Sequence, residues 1–204
     1  MEDSNLDGYG GPLAVGWDLD STLASTLHRR HLIPSIKAGQ ATWDDYSDLC
    51  AGDAPVPGAV MLARMLHAAG HPQYAISGRS ERARGKTWGW FAEHSVPMDA
   101  LLLRPEGDHT DVKVFKVQQL RELQAQGARF CLFLEDWAPV GEYITEQTGI
   151  PVLGVNPFDP GTSIITLDQL ALVLDELAGE GQTLEEDNAG EVADAVFGRL
   201  GGAF

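Results

Sequence analysis

The stretch VGWDLDSTLAST, residues 15–26, decides how the rest of the chain is read. A short apolar run ends in two carboxylates one residue apart, Asp18 and Asp20, with Thr22 two further on. A brief apolar segment closed by polar turn residues is the pattern of a buried strand. In an open parallel sheet, ligands bind beyond the carboxyl ends of the strands, so a carboxylate pair there stands where chemistry is done.

Working outward, apolar strands alternate with amphipathic helices. Strand 13–18 is followed by a helix over 58–70, with Met61, Leu62, Met65, Leu66 and Ala69 on one face and Gly70 as its stop. Next come strand 73–77, a helix over 80–95 carrying Trp88 and Phe91, and strand 99–104. The pattern continues with a helix over 114–127, strand 129–136, a helix over 138–149 and strand 151–155. A periodic helix over 166–179, with Leu167, Leu170, Leu174 and Leu177, closes the series. This alternation predicts an α/β domain with a largely parallel sheet.

The expected organisation is a flexible N-terminus over 1–12 and a core formed by 13–22 and 58–179. The connection 23–57 is too long for a βα turn and reads as a small cap. It holds Trp43, Tyr46 and the cluster His28-Arg29-Arg30-His31, which reads as a solvated face rather than a phosphate clamp. Residues 180–204 are acidic and Gly-rich and read as a tail or a docking helix.

Composition narrows the possibilities. With 204 residues, 44% hydrophobic and 22% charged, the chain has the make-up of one soluble globular domain. No apolar run reaches 18 residues, which predicts no membrane span. Met1 to Pro12 lacks the basic flank and apolar stretch of a signal peptide. Cys50 and Cys131 show neither metal spacing nor a disulfide framework, so a cytoplasmic location is expected. The formal net charge of −16 works against binding a long polyanion. An anion handled by this chain should be small, or drawn in by a local cationic pocket or a metal.

Four segments bring reactive groups to strand ends or beside them, in a fixed order: DLDST (18–22), SGR (77–79), a lysine, and Glu135-Asp136. This order resembles the four motifs of the haloacid dehalogenase superfamily over roughly residues 13–155. Within it, SGRSERARGKTWGW (77–90) and LLRPEGDHTDVKVFK (102–116) resemble the 3′-phosphatase domain of phage-type polynucleotide kinases. The resemblance implies a Rossmann-like fold with a small cap after the first strand. It also implies a Mg²⁺-dependent phosphomonoesterase working through an aspartyl-phosphate.

A carboxylate can attack phosphorus and split hydrolysis into two easier steps; Asp18 takes that role. Asp20 protonates the leaving alkoxide and later accepts a proton from the attacking water. Mg²⁺ would be held by Asp18, the backbone carbonyl of Asp20 and Asp136, with Glu135 helping through water. Ser77 and the Gly78 amide can hydrogen-bond the phosphoryl oxygens, and Lys116 can neutralise them and orient Asp18. Lys113 is the rival lysine; the spacing of Lys116 to Glu135 and to Gly107-Asp108 follows the family pattern. Arg79 and Arg104 are substrate-gripping residues by resemblance only. Trp137 stands where polynucleotide phosphatases usually carry an arginine.

Blander readings compete. A lone DxD is often a solvated pair, SGR a βα turn, and Glu135-Asp136 a helix cap. Trp43 and Tyr46 read equally as cap core or as base-stacking residues. Gly85-Lys86-Thr87 imitates the end of a P-loop, but Ser80 occupies the first glycine's place and the run falls inside a helix. The expected substrate is a small phosphorylated molecule, a nucleotide by resemblance. The alternatives are 3′-phosphatase action on nucleic-acid ends and a catalytically silent binding protein. A signalling receiver fits less well, because it phosphorylates an aspartate on a later strand and leaves Asp20 without a role. Oligomeric state is left open.

Overall fold

A computed structural model describes residues 12–155. After β1 (Ala14–Trp17) the chain forms β2 (Ala24–Ser25), a 3₁₀ segment over Leu27–Leu32, the short helices α1 (Ile33–Lys37) and α2 (Trp43–Asp48), and β3 (Ala54–Pro55). It then alternates through α3 (Pro57–Ala68), β4 (Gln73–Ser80), α4 (Arg84–Glu93), β5 (Ala100–Arg104), α5 (Val112–Ala125), β6 (Phe130–Glu135), α6 (Ala138–Thr148) and β7 (Val152–Gly154). Five strands make one parallel sheet in the order β5-β4-β1-β6-β7. The predicted helix over 166–179 and the acidic stretch 180–204 lie outside the described residues.

All of β1 is buried, as expected of a central parallel strand covered on both faces. A side chain on Gly16 would collide with the Phe133 ring, so glycine here lets Phe133 lie across the strand. Phe133 belongs to a core cluster with Ile76, Phe115, Val117, Leu120, Val140 and Ile144. Trp17 is fully buried, and its indole N–H donates to Gln73 Oε1 at 2.5 Å. Such a partner lets a buried Trp keep its polar group satisfied.

One helix face differs from expectation. In α3 the buried stripe is Ala59, Val60, Ala63 and Leu66, while Met61 and Met65 are exposed. The alanines allow close approach to the layer beneath, and the longer methionines turn outward. Likewise, Trp90 rather than Trp88 is the deeply buried tryptophan of α4.

Two devices shape the sheet edge. Ser77 pairs with Leu103 but Ser80 pairs with Arg104, so Gly78 and Arg79 are extra residues in β4. A bulge of this kind re-aims side chains. The second device is the antiparallel β2–β3 pair, which joins the two ends of the 23–57 segment. That segment is tied to the following elements: Arg82 pairs with Asp44 and Asp48, Lys86 with Asp48, and the Trp90 indole donates to the Asp53 carbonyl at 2.7 Å. No helix among the described residues is long and apolar enough to cross a membrane.

Candidate active site at the carboxyl edge of the sheet

Because β1, β4 and β6 run parallel, their carboxyl ends open on one side. The site lies where the strand order reverses across β1 and β6. Asp18 follows β1 directly, and its backbone N–H donates to the Leu134 carbonyl at 2.8 Å, which fixes it beside the end of β6. Lys116, one turn into α5, donates to Asp18 Oδ1 at 2.6 Å and to Glu135 Oε2 at 2.5 Å. All three residues are buried. Thr22 Oγ1 donates to Asp18 Oδ2 at 3.3 Å. Lys113 sits elsewhere, with its ammonium over the Tyr143 ring.

The electrostatics follow from crowding. Burial pushes the Asp18 carboxyl up to about 7, opposed by Lys116 and reinforced by Glu135 and Asp20. Asp136 is an exposed residue, yet desolvation around its carboxyl, then Asp18 and Glu135, push it up to about 8. Burial alone would lower the Lys116 ammonium, but Asp18 and Glu135 hold it above the ordinary lysine value. Three carboxylates share one ammonium, so the centre lacks positive charge.

That deficit is the test for a cation. Asp18, Glu135 and Asp136 each offer one oxygen, all within 4.8 Å of one another. Hard carboxylate oxygens with a charge deficit suit Mg²⁺. The residues fit the ion that the resemblance implies.

A second cluster adjoins the first. Asp20 Oδ1 accepts from Arg29 Nη2 at 2.6 Å and Arg79 Nε at 2.7 Å. Asp53, whose side chain is fully buried, accepts from Arg29 Nε at 2.7 Å, Arg29 Nη2 at 2.6 Å and Arg79 Nη2 at 2.8 Å. Arg29 Nη1 donates to the Tyr46 carbonyl, and its guanidinium lies 4.2 Å from the centroid of the Tyr46 ring. Arg79 Nη1 donates to Thr87 Oγ1 at 3.2 Å. Burial alone would raise Asp20, but Arg79 and Arg29 hold its carboxyl below the usual range.

The expected solvated face at His28-Arg29-Arg30-His31 is therefore corrected at Arg29, which has no exposed surface. A guanidinium can be buried when carboxylates and a carbonyl satisfy it, and here Asp20, Asp53 and Tyr46 do. The Asp20 side chain engages the two arginines and stands apart from the carboxylates of Asp18, Glu135 and Asp136. Sequence reasoning missed Asp53 altogether. The alternation of strands and helices carries no signal for a charge buried by partners far along the chain.

Ser77 is buried and its Oγ accepts the Arg79 N–H at 3.3 Å. At Gly78 a Cβ would come within 2.9 Å of Arg104 Nη2 and of Val112 Cγ2, so glycine lets Arg104 approach the strand end. Arg104 Nε is buried without a hydrogen-bond partner. Trp43 is 58% exposed, with its ring edge-on to Tyr46 at 5.6 Å. Tyr46 is buried, which fits the cap-core reading for that residue. Trp137 is also exposed, and its backbone N–H donates to Glu135 Oε1 at 3.2 Å.

No family model matches the sequence, and no curated protein matches it. Solved structures do. A chain of the Pnkp1/Rnl/Hen1 RNA repair complex superposes with a TM-score of 0.58 at 23% identity, over 76% of this chain and 47% of that one. This chain thus spans about half the length of that relative. The class C acid phosphatase from Bacillus anthracis with tungstate bound superposes with a TM-score of 0.52 at 19% identity, over 91% of this chain and 80% of that one. Likenesses at such identities speak to the fold. The strand order and these superpositions together give the chain a Rossmann-like α/β fold, a mostly parallel sheet flanked by helices, that those two structures share.

Proposed function

We propose that this protein is a Mg²⁺-dependent phosphomonoesterase acting on nucleotides through an aspartyl-phosphate. The observation that carries the reading is Asp18, buried at the strand end with Lys116 on Oδ1 and two further carboxylates within metal-sharing distance. Asp18, Asp136 and the backbone carbonyl of Asp20 would hold Mg²⁺, with Glu135 helping through water, and the ion would supply neutralising charge between the carboxylates and a phosphoryl group.

An oxygen of Asp18 attacks phosphorus as the ester P–O bond breaks and the alkoxide leaves with a proton from Asp20. Water then loses a proton to Asp20 and attacks the same phosphorus. The bond to Asp18 breaks and phosphate departs. In the free chain Asp20 is an ionised carboxylate paired with two guanidiniums. Once Arg29 and Arg79 exchange it for phosphoryl oxygens, its carboxyl is released to take a proton from solvent, and that is the proton it gives to the alkoxide. Ser77, the Gly78 amide and Arg104 complete the grip. Arg104 Nε, buried without a partner, is a donor awaiting an acceptor.

Trp43 provides an exposed ring connected through Tyr46 to Arg29, which suits a nucleobase attached to the bound phosphate. The net charge of −16 favours a mononucleotide over a polyanion. Likeness to a chain of an RNA repair complex supports a second reading, a 3′-phosphatase on nucleic-acid ends.

The test is phosphate release, with and without Mg²⁺, from 5′- and 3′-mononucleotides, a 3′-phosphorylated oligonucleotide and an aryl phosphate, with Asp18→Asn as the blank. Mg²⁺-dependent turnover preferring mononucleotides is expected. Preference for the oligonucleotide selects the second reading, and silence across the panel makes the chain a binding protein.

A further inference from the structure

Arg29 and Arg79 each meet two carboxylates, and the two differ in access. The Asp20 side chain is 29% exposed and Asp53 not at all. Asp53 takes both the Nε and Nη2 protons of Arg29 and one from Arg79 Nη2, on the side away from solvent. His28 Nε2 lies 2.9 Å from the same carboxylate, and the Asp53 carbonyl accepts the Trp90 indole. Asp53 is therefore itself anchored, through its backbone, to α4. The residue closes the 23–57 segment next to the β2–β3 pair, while Arg29 comes from that segment's opposite end.

We infer that Asp53 is a positioning residue of the phosphate site, the fixed carboxylate that holds the Arg29 and Arg79 guanidiniums while their contacts with Asp20 are exchanged for those of a phosphate. Two guanidiniums held by one carboxylate stay close together in spite of their mutual repulsion, and the planar fork of each is kept in one orientation. Asp20 cannot serve as that anchor, because it must be free to act. The insertion thus supplies part of the anion site from within, independently of any contact between its outer face and a substrate. This rests on the phosphatase reading for its catalytic consequence, and on geometry alone for phosphate binding.

The experiment uses the full chain with three probes: MgCl₂ alone, inorganic phosphate with Mg²⁺ present, and p-nitrophenyl phosphate. Asp53→Glu keeps the charge and shifts the carboxylate by one methylene, and Asp53→Asn removes the charge in the same shape. Expected for Asp53→Glu are Mg²⁺ affinity within about twofold of wild type, inorganic phosphate bound about tenfold more weakly, and kcat/KM lower by about 10²-fold, the size of effect that a 1 Å misplacement produces. A merely structural role would lower the melting temperature without separating phosphate affinity from Mg²⁺ affinity. If Asp53→Asn does not fold, Asp53→Glu still carries the test. A folded variant of either kind that binds phosphate as wild type does would overturn the inference, as would wild-type protein that binds no phosphate. Wild type that binds phosphate but releases none from any ester removes the phosphatase reading and leaves the Asp53 comparison standing.

Discussion

Replacing Lys116 with methionine strips a buried centre of its only ammonium at nearly constant volume. The lysine is 2% exposed and makes two charge-assisted hydrogen bonds, to Asp18 at 2.6 Å and Glu135 at 2.5 Å, both themselves buried. Removing one partner of such a group costs about 3–5 kcal/mol, because the remaining charges are left uncompensated. For a chain of this size each kcal/mol is worth roughly 2–4 °C, so the metal-free melting temperature should fall by roughly 6–20 °C. The carboxylates have an escape, which is to take up a proton. Asp18 is already pushed up to about 7, so the loss at pH 5.5 should be smaller than at pH 8.5. Mg²⁺ supplies replacement charge, so the rise in melting temperature on adding MgCl₂ should be larger in Lys116→Met than in wild type. Calorimetry in EDTA and in MgCl₂ at the two pH values measures all of this. A metal-free loss below about 3 °C at pH 8.5, or a loss equal at both pH values, would refute the account of the centre as a cation-deficient cluster.

Further outcomes concern the same edge of the sheet. Asp136→Asn removes one of three clustered oxygens and should weaken Mg²⁺ binding at least about tenfold in a MgCl₂ titration, while raising the metal-free melting temperature at pH 8.5, since it takes one charge out of a set of repelling carboxylates. Apparent Mg²⁺ affinity should rise from pH 6 to about 8 and then level off, because the ion displaces protons from Asp18 and Asp136, raised to about 7 and about 8. The folded metal-free chain holds those protons where the unfolded chain has released them, so its stability should fall as pH climbs from about 4 to about 8. Melting curves across that range, with and without EDTA, check the sign. Trp43→Ala should raise KM for a mononucleotide about tenfold, within the worth of one base–aromatic stack, and leave an aryl phosphate unaffected; equal effects on both would remove the stacking role.

Most of the fold was legible because a parallel sheet buries its strands on both faces. Runs such as LAVGWD and RFCLFLED then have no alternative but the interior, and their ends fall where the sequence turns polar. The centre around Asp18 was legible for a related reason: its members sit at or just beyond strand and helix ends, positions that the alternation of elements locates. The arginine network was not. Arg29 lies in a basic tetrad whose neighbours Arg30 and His31 are exposed, and only partners 9, 17 and 24 residues away make burial of its second member worthwhile. Asp53 is a single acid among turn residues, and no local pattern marks an acid whose partners are Arg29 and Arg79. The face of α3 failed for a different reason. Hydropathy ranks methionine above alanine, whereas close packing of helix on sheet selects by size.

The charges of the two clusters, taken together, explain why a chain so acidic overall can be expected to receive a phosphate. Asp18, Glu135, Asp136, Asp20 and Asp53 oppose Lys116, Arg29 and Arg79, which leaves a formal charge of −2 when all are ionised. A phosphate dianion meeting that site bare would be repelled twice, by the local excess and by the −16 of the whole chain. One divalent cation brings the local charge to zero, and Arg104, adjacent at Gly78, then tips it positive. Salt screens the long-range term over about 8 Å at physiological ionic strength but scarcely touches the buried pairs. A small phosphate ester therefore encounters mainly the balanced pocket, whereas a long strand must also lay its remaining phosphates along an acidic surface. On this reasoning the preference for short substrates should fade as salt is raised, while the requirement for the cation should persist.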